Sequence, residues 1–266
     1  MGIAYGPTQN WINNTPQGIQ YWIQYRIDNN LYVKDGLVLD LDAGDSNSYP
    51  GTGTTWTDLS GNDNNGTLVN GVGYSGSDGG SLVFDGVDDY VTTPITTTYQ
   101  NFTLNCWFYN TSSSKTNRVL ITKNSYFATT TVDWPVNLGL NNLGTSVSIR
   151  ITSGTSFFVT TPSTGSIIST TLSSLNTWYN VSATYDKQNL NLYLNGVLAN
   201  TTPNTISLPN NTGRVWTIGR AAFENSGGVG DSQYNGNISQ VQIYNRALTP
   251  EEVQLNYNVF KGRYGL

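Results

Sequence analysis

The most restrictive feature of this sequence is its closing segment, a predicted strand followed by a short helix. Residues 238–244 (ISQVQIY) alternate apolar and glutamine side chains over most of their length, which is typical of a β-strand. Thr249 then predicts an N-cap, Pro250 takes the first helical position, and Glu252 completes a capping box. The apolar face of this helix consists of Val253, Leu255 and Phe260. We therefore expect a β-rich chain that closes with one strand and one short helix.

Upstream of this segment the sequence consists of short apolar stretches separated by turn residues. Asn195-Gly196 gives the strongest hairpin signal, because a type I′ turn needs positive φ at both central positions. Many short strands with turns between them indicate a sandwich or a barrel. The predicted strands cover residues 37–41, 82–84, 90–91, 102–109, 118–122, 147–151, 157–160, 178–185, 190–194, 197–200, 215–218 and 238–244.

Composition excludes several classes of function. The net charge is −5 and only 11% of the residues are charged, which argues against nucleic acid and anionic membrane surfaces as partners. No apolar run is long enough for insertion into a membrane. Cys106 is the only cysteine, so no internal disulfide is possible. The first residues lack a charged start followed by an apolar stretch, so we expect no secretory signal peptide and interpret Met1 as the true start.

Four sequence blocks carry a resemblance to a known family. They are residues 36–44 (GLVLDLDAG), 49–62 (YPGTGTTWTDLSGN), 79–91 (GGSLVFDGVDDYV) and the closing segment up to 261–265 (KGRYG). The combination resembles the laminin-G-like, or concanavalin A-like lectin/glucanase, superfamily, in the version found in tailed-bacteriophage virion proteins. The resemblance covers residues 36–266 and implies an all-β fold, a two-sheet antiparallel jelly-roll sandwich with a short C-terminal helix. This fold carries lectins, glycosidases, adhesion modules and structural proteins, so it leaves the function open.

Residues 1–35 differ from the rest and are predicted to form a separate N-terminal arm. Residues 20–26 alternate aromatic or aliphatic side chains with polar ones, so we predict a strand or an extended arm. This arm is either an added edge strand of the sandwich or an anchor that docks on a neighbouring subunit or on a capsid shell. The candidate partner-binding residues are Trp11, Tyr21, Trp22 and Tyr25.

The inventory of reactive groups predicts no enzymatic activity. The sequence has no histidine, which excludes a Ser-His-Asp triad and a histidine-ligated metal. Of its three glutamates, Glu251 and Glu252 belong to the start of the helix. Asp88 and Asp89 are adjacent, so in a strand they point to opposite faces and form a poor acid and nucleophile pair.

The sequence predicts no cofactor, but calcium remains a possible ligand. Residues 58–64 (DLSGNDN) offer oxygens at alternating positions, with Asp58 and Asn62 as candidate ligands. Asp85 is a further candidate. In the competing interpretation, these side chains bond to their own turns. Relatives often have two acidic residues where this chain has Ser239 and Gln240, which weakens any acidic role for the closing strand.

A sugar-binding site needs aromatic rings beside hydrogen-bonding groups. The candidate platforms in predicted loops are Trp134, Tyr126, Phe223 and Tyr234. Trp134 lies in a proline-punctuated loop and could equally serve in a protein contact or in ordinary packing. Trp107, Trp178 and Trp216 lie within strand patterns and are assigned to the core or to a sheet face.

Two functions follow from the resemblance. The first is a non-enzymatic phage virion structural protein, a capsid decoration or fibre-like surface protein made in the host cytoplasm and exposed on the particle. Its partners would be other virion proteins of the capsid or tail, and further copies of itself in a homo-oligomer. The alternative is a carbohydrate-binding tail adhesin that recognises host surface glycans.

Overall fold

The computed structural model describes residues 20, 24–26, 28–29, 31–111, 118–123, 127–128, 131–132, 135–141, 143–152, 165–209, 213–220 and 233–266. Two eight-stranded antiparallel sheets and a two-stranded ribbon account for the strands of these residues. The strands are β1 Leu37–Asp42, β2 Thr55–Trp56, β3 Gly66–Val69, β4 Gly73–Ser75, β5 Ser81–Asp85, β6 Tyr90–Thr92, β7 Phe102–Asn110, β8 Arg118–Lys123, β9 Phe127–Ala128, β10 Thr131–Val132, β11 Val136–Leu140, β12 Ser146–Thr152, β13 Gly165–Thr171, β14 Thr177–Tyr185, β15 Asn189–Leu194, β16 Val197–Pro203, β17 Trp216–Ile218 and β18 Asn235–Tyr244. Beyond residue 29, the helical elements of the described residues are η1 Ser77–Gly79, α1 Pro250–Phe260 and η2 Lys261–Tyr264.

The two large sheets pack face to face, which confirms the predicted sandwich. Sheet A has the order β16-β15-β14-β7-β18-β5-β4, with β1 also paired to β18, and sheet B has the order β13-β12-β11-β8-β17-β6-β3-β2. Apolar side chains from the inner faces of both sheets form one continuous buried cluster. Trp216 and Cys106 belong to this cluster, and burial raises the pKa of the Cys106 thiol.

The closing strand β18 lies near the centre of sheet A and divides one of its edges between two partners. Its first half pairs with β5 and its second half pairs with β1, while β7 runs along the whole opposite edge. The change of partner occurs at Ser239, where the register with β7 shifts. The Ser239 hydroxyl donates to the Gly80 carbonyl at 2.6 Å and accepts from the Tyr264 hydroxyl at 2.9 Å. A neutral residue at this position therefore joins the closing strand to the C-terminal turn.

Helix α1 forms as its sequence predicts and covers the outer face of sheet A. The Thr249 hydroxyl accepts from the Glu252 amide at 3.3 Å, and the Glu252 carboxylate accepts from the Thr249 amide at 2.9 Å. Two hydrogen bonds of 2.7 Å from Arg246 hold the same carboxylate and lower its pKa. Beneath the helix lies a second buried cluster, which contains Trp107 and Trp178 and confirms their assignment to the core or a sheet face.

The prediction of a strand or extended arm over residues 20–26 is wrong for the residues that the structure describes. Residues 20, 24–26 and 28 are helical. The Gln24 amide donates to the Asp28 carboxylate at 2.7 Å, and the Asn29 amide donates to the Tyr25 carbonyl at 3.1 Å. Bonds between positions four apart are those of a helix, and a count of alternating side chains does not detect them. Tyr25 is 42% exposed, whereas Trp11, Tyr21 and Trp22 lie outside the described residues.

No helix among the described residues is both long and apolar enough to cross a membrane.

Candidate functional site

A groove opens beside the C-terminal end of helix α1, at the edge of sheet A formed by β1. Its cavity volume is about 560 Å³. This volume falls within the range of small-molecule sites, about 300–1,000 Å³. The groove is lined by Tyr32, Asp42, Asp45, Leu59, Val259, Phe260, Gly262 and Arg263.

One wall of the groove is apolar because helix α1 ends there. Val259 and Phe260 follow the buried positions Val253 and Leu255 along the same helix, so the packing that fixes the helix also fixes this wall. The Tyr32 ring packs against Phe260 with 5.1 Å between ring centroids. Leu59 completes the wall, since its amide bonds to the Asp40 carbonyl at 2.8 Å and holds its loop along the free side of β1.

An ion pair between Arg263 and Asp42 forms the polar side of the groove. The two guanidinium nitrogens donate to the two carboxylate oxygens at 2.5 and 2.9 Å. Burial opposes the charge of Arg263, but its hydrogen bonds and charge interaction with Asp42 outweigh this effect and raise its pKa. A Cβ on Gly79 would lie 2.4 Å from the Arg263 side chain, and one on Gly44 would lie 2.1 Å from the Gly79 carbonyl oxygen and 2.7 Å from Nη1 of Arg263. Gly79 therefore leaves the space for the aliphatic part of the Arg263 side chain, and Gly44 leaves the space for its guanidinium.

A buried carboxylate, Asp40, lies behind the Tyr32 end of the groove. It is fully buried and accepts from the Tyr32 hydroxyl, and the Lys34 ammonium lies 3.4 Å away. Burial raises the pKa of Asp40, although Tyr32, Lys34 and Gln242 act in the opposite direction. Burial and the charge of Asp40 also raise the pKa of Tyr32. The Tyr32 hydroxyl therefore keeps its proton and donates it in the hydrogen bond to Asp40, which holds the Tyr32 ring at the groove.

Asp45 is a half-buried carboxylate of the groove with one oxygen available to a ligand. One oxygen, Oδ1, accepts from the backbone and side-chain amides of Asn47 at 2.8 and 2.9 Å. Within the described part of the chain, its second oxygen accepts no hydrogen bond and its carboxylate has no ion-pair partner. The groove thus combines an apolar and aromatic wall, a neutralised ion pair and one available acceptor.

Of the four sugar platforms that the sequence predicts, the structure describes Tyr234 alone, and Tyr234 does not line this groove. Tyr234 is fully buried, and its hydroxyl donates to the Tyr109 carbonyl at 2.6 Å. Its assignment as a sugar platform is wrong, because a ring without exposed surface cannot stack on a ligand. Trp134, Tyr126 and Phe223 lie outside the described residues, so their roles stay predictions.

The calcium prediction at Asp58 is wrong, and the turn interpretation holds there. Its carboxylate accepts four hydrogen bonds of 2.7–2.9 Å, from the amides of Asp40, Ser60 and Asn64 and from the Ser60 hydroxyl. These bonds use the available lone pairs of both oxygens and leave none for a cation. Asn62 donates its amide to the Leu37 carbonyl at 3.0 Å and likewise joins its loop to β1.

Asp85 lies in a different acidic turn, where calcium stays a prediction. Carboxylate oxygens of Asp85, Asp88 and Asp89 lie within 4.8 Å of one another. Asp88 is exposed and Asp89 is buried, but both lie in the turn between β5 and β6, where their carboxylates converge, so the opposite directions predicted for a strand are not observed. Asp85 accepts from the Val87 amide at 2.7 Å, and Asp89 accepts from the Asp85 amide at 3.0 Å. These bonds account for the acidic residues as turn formers.

Most of the groove residues, though not Tyr32 and Asp45, occur in the sequence blocks that indicate the fold, and sequence reasoning did not assign them to a site. Asp42 lies in the 36–44 block and Arg263 in the 261–265 block, 221 residues apart. A basic residue just past the helix and an aspartate ending a strand are the available signals. Pairing them requires the topology, because only the division of the β18 edge brings β1 beside the C-terminal turn.

Comparison with known proteins identifies the class of protein that this fold and groove define. Residues 85–254 match the family model of the concanavalin A-like lectin/glucanases superfamily. The match covers more than half of the chain, and the chain belongs to this family. A comparison with curated proteins finds no matching sequence.

Several solved structures share the fold. The botulinum neurotoxin serotype D binding domain is 13% identical with a TM-score of 0.59, covering 86% of this chain and 52% of that one. The binding domain of Paraclostridial mosquitocidal protein 1 is 17% identical with a TM-score of 0.57, covering 85% and 53%. The binding domain of botulinum neurotoxin DC, solved in complex with SialylT, is 14% identical with a TM-score of 0.58, covering 86% and 52%. The chain spans about half the length of these domains, and identities this low show a common fold alone.

Proposed function

We propose that this protein is a carbohydrate-binding module without enzymatic activity and that the groove beside helix α1 holds the sugar. The single observation that carries the proposal is the groove chemistry, an apolar wall with Tyr32 and Phe260 facing Asp45 and the Arg263–Asp42 pair. Sugars have apolar C–H faces and hydroxyl edges, so they need both kinds of surface in one place. The lectin-type family and the binding domains among the structural neighbours support the same class of function.

The same groove gives no support to glycoside hydrolysis. That reaction generally uses two carboxyl groups, one as acid and one as base or nucleophile. Asp42 is held by both guanidinium nitrogens of Arg263, so Asp45 is the one available carboxylate among the described lining residues. One free carboxylate can orient a hydroxyl group but cannot serve both steps.

The test uses a variant that fills the groove without straining the backbone. A Cβ on Gly262 would meet no heavy atom within 4 Å, and its φ is not in the left-handed range, so Gly262→Tyr places a ring in the groove. Gly213 has the same freedom and lies next to sheet B, which makes Gly213→Tyr the matched control. The wild type is screened on a broad glycan array, and the affinity of the best ligand is then measured by calorimetry.

We expect Gly262→Tyr to weaken the affinity by at least about tenfold, or 1.4 kcal/mol, and Gly213→Tyr to leave it unchanged. Equal thermal unfolding of both variants would confirm that they fold. Unchanged binding by Gly262→Tyr would move the sugar site elsewhere. An array on which wild type binds no glycan would reject the function.

We further propose that this module works on the surface of a tailed-phage virion, as a capsid decoration or fibre-like protein or as a tail adhesin. The support is the resemblance of the 36–44, 49–62, 79–91 and 261–265 blocks. Virion partners, a homo-oligomer and any role of residues 1–35 as an anchor belong to this proposal. Its test is the copy number in purified particles and the position of the chain in a density map of the whole particle. Hundreds of copies would support a decoration, a few to tens a tail adhesin, and absence from the particle would reject the virion setting.

A further inference from the structure

The charges of this chain are unevenly distributed, although the net charge is modest. Residues 1–89 carry eleven acidic and two basic side chains. Residues 90–223 carry two acidic and seven basic side chains. The groove takes Tyr32, Asp42, Asp45 and Leu59 from the acidic region and its other lining residues from the C-terminal helix and turn.

Arg263 is the one basic residue among the described lining residues of the groove, and Asp42 neutralises its charge. Both terminal nitrogens of Arg263 are directed at Asp42, whose side chain is only 6% exposed. The two N–H groups that face Asp42 could bind a ligand carboxylate or sulfate only by displacing that buried carboxylate, which is strongly unfavourable. The pair carries no net charge, so the remaining N–H groups of Arg263 offer an anionic substituent little net attraction.

Other described cations do not line the groove, including Lys261, which precedes Gly262 and whose ammonium lies 5.6 Å from the centroid of the Tyr257 ring. Lys34 lies against Asp40 and Tyr32 at the outer end of the groove and is not among its lining residues. Lys123 and Arg118 of the basic region are buried, where Lys123 donates to the Thr96 carbonyl at 2.8 Å and Arg118 donates to the Thr111 carbonyl at 2.7 Å. The available ionic group facing a ligand, among the described lining residues, is therefore the Asp45 carboxylate.

We infer that the groove selects glycans by charge: it binds neutral sugars or sugars with a free ammonium group at Asp45, and it rejects sugars with a carboxylate or sulfate. The inference rests on the proposed function of the groove and names its ligand class. Oδ2 of Asp45 accepts a hydroxyl or ammonium hydrogen, whereas an anionic substituent meets a like charge with no available cation beside it. Selection thus arises mainly from repulsion of the wrong ligand.

The experiment uses matched pairs of glycans that differ only in charge. Calorimetry measures the affinity of the full chain for both members of each pair. The pairs differ by a terminal sialic acid, by a sulfate, or by a free amine in place of an N-acetyl group. Asp45→Asn removes the charge at nearly constant shape, and Asp45→Lys reverses it. Glu251→Lys makes the same reversal at an exposed position at the other end of helix α1 and is the matched control.

We expect wild type and Glu251→Lys to bind the uncharged or amine member at least about tenfold more tightly than the acidic member. Asp45→Asn should bring the affinities for the two members of a pair closer together, and Asp45→Lys should reverse their order. Added salt should reduce the difference in affinity because the groove is open to solvent. Equal or tighter binding of the acidic member by wild type overturns the inference while leaving the glycan-binding function intact. A ratio that Asp45→Lys does not change also overturns it. Absence of binding to every glycan rejects the function and the inference together.

Discussion

The outer faces of the two sheets both carry rows of polar side chains, but the hydrogen bonds of these side chains are satisfied in different ways. On sheet A, Ser182, Asn105, Gln242 and Asp40 lie in one row across β14, β7, β18 and β1. All four are buried, and each bonds to the next in the row at 2.7–3.2 Å. Helix α1 covers this side of the sheet and seals the network together with the aromatic rings around it.

On sheet B the corresponding row is mostly threonine. It runs through Thr55, Thr67, Thr92, Thr217, Thr122, Asn137, Arg150 and Ile167, each directly opposite the next. Thr122 donates to the Val136 carbonyl at 2.9 Å, so it is satisfied by the backbone. A threonine row depends little on its neighbours, whereas the amide row of sheet A needs every member and a cover. The candidate groove opens where that cover ends.

We expect the largest effect from removing an aromatic ring that holds α1 and η2 against the outer face of sheet A. Trp107 is fully buried and stacks on Tyr264 at 4.1 Å and on Tyr257 at 5.5 Å between ring centroids. We expect Trp107→Ala to lower the free energy of unfolding by about 4 kcal/mol, because it leaves a cavity and loosens α1 and η2. Urea unfolding measures this loss, and glycan affinity should fall with it because Arg263 and Phe260 move. A loss below about 1 kcal/mol would mean that the cover is held by other contacts.

The ion pair at the groove gives the second largest effect. Arg263→Met removes the partner of Asp42, which is almost buried, and we expect a loss of about 3 kcal/mol in the free energy of unfolding. The double variant Asp42→Leu/Arg263→Met should be more stable than Arg263→Met alone, since it leaves no buried charge without a partner. Chemical unfolding of the wild type, Asp42→Leu, Arg263→Met and the double variant forms a double-mutant cycle that measures the coupling. If the double variant is less stable than Arg263→Met alone, Arg263 stabilises the protein through packing and not through its ion pair.

A matched pair of substitutions compares the two polar rows directly. Asn105→Leu keeps the size of the side chain but leaves the Asn180 amide and the Ser182 hydroxyl, both buried, without their acceptor. We expect a loss of about 2 kcal/mol. Thr122→Val on sheet B removes one hydrogen bond to a backbone carbonyl, with a loss of about 1 kcal/mol or less. Similar losses in thermal or urea unfolding would mean that the sheet A row is not cooperative.

The sequence predicts the architecture better than the site, for reasons that particular residues show. Strands such as β7 and β14 and the capping box of α1 depend on local patterns, and each was predicted close to its observed bounds. Strands β11 and β13 were missed because Gly139 and the serine- and threonine-rich 165–171 stretch weaken the local signal, and partner strands supply what it lacks. The prediction for the residues near Tyr25 is extended because it follows the alternation of apolar and polar side chains. The polar pair Gln24 and Asp28, four positions apart, indicates the helix that is observed.

The groove could not be assembled from sequence because its parts depend on long-range pairing. Asp42 and Arg263 are 221 residues apart, and the space for the guanidinium comes from Gly44 and Gly79, which sequence reasoning assigns to the family blocks alone. Tyr234 shows the opposite error: a tyrosine near a predicted loop was assigned to a surface that it does not reach. The sequence patterns that predict strands and the helix are local, whereas the groove depends on which strands and turns the topology places side by side.

The smallest predicted effect compares the buried charges of the two sheets. Asp40 on sheet A has Tyr32, Lys34 and Gln242 as partners, whereas Lys123 on sheet B is buried against the carbonyls of Thr96 and Arg214. Burial lowers the pKa of Lys123 from 10.5 to about 8. A base whose folded pKa lies below its unfolded value binds more protons when unfolded, so stability rises with pH between these two values.

We therefore expect the free energy of unfolding to rise by about 1 kcal/mol between pH 7.5 and pH 9 through Lys123 alone. Ionisation of the tyrosines in the unfolded chain opposes this rise near the upper end of the range, so the wild type is compared with Lys123→Met at each pH. The wild-type curve should gain on the variant curve by that amount across the range, as measured by urea unfolding. Parallel curves would show that Lys123 keeps its ordinary pKa, and that sheet B, like sheet A, provides the partners that a buried charge needs.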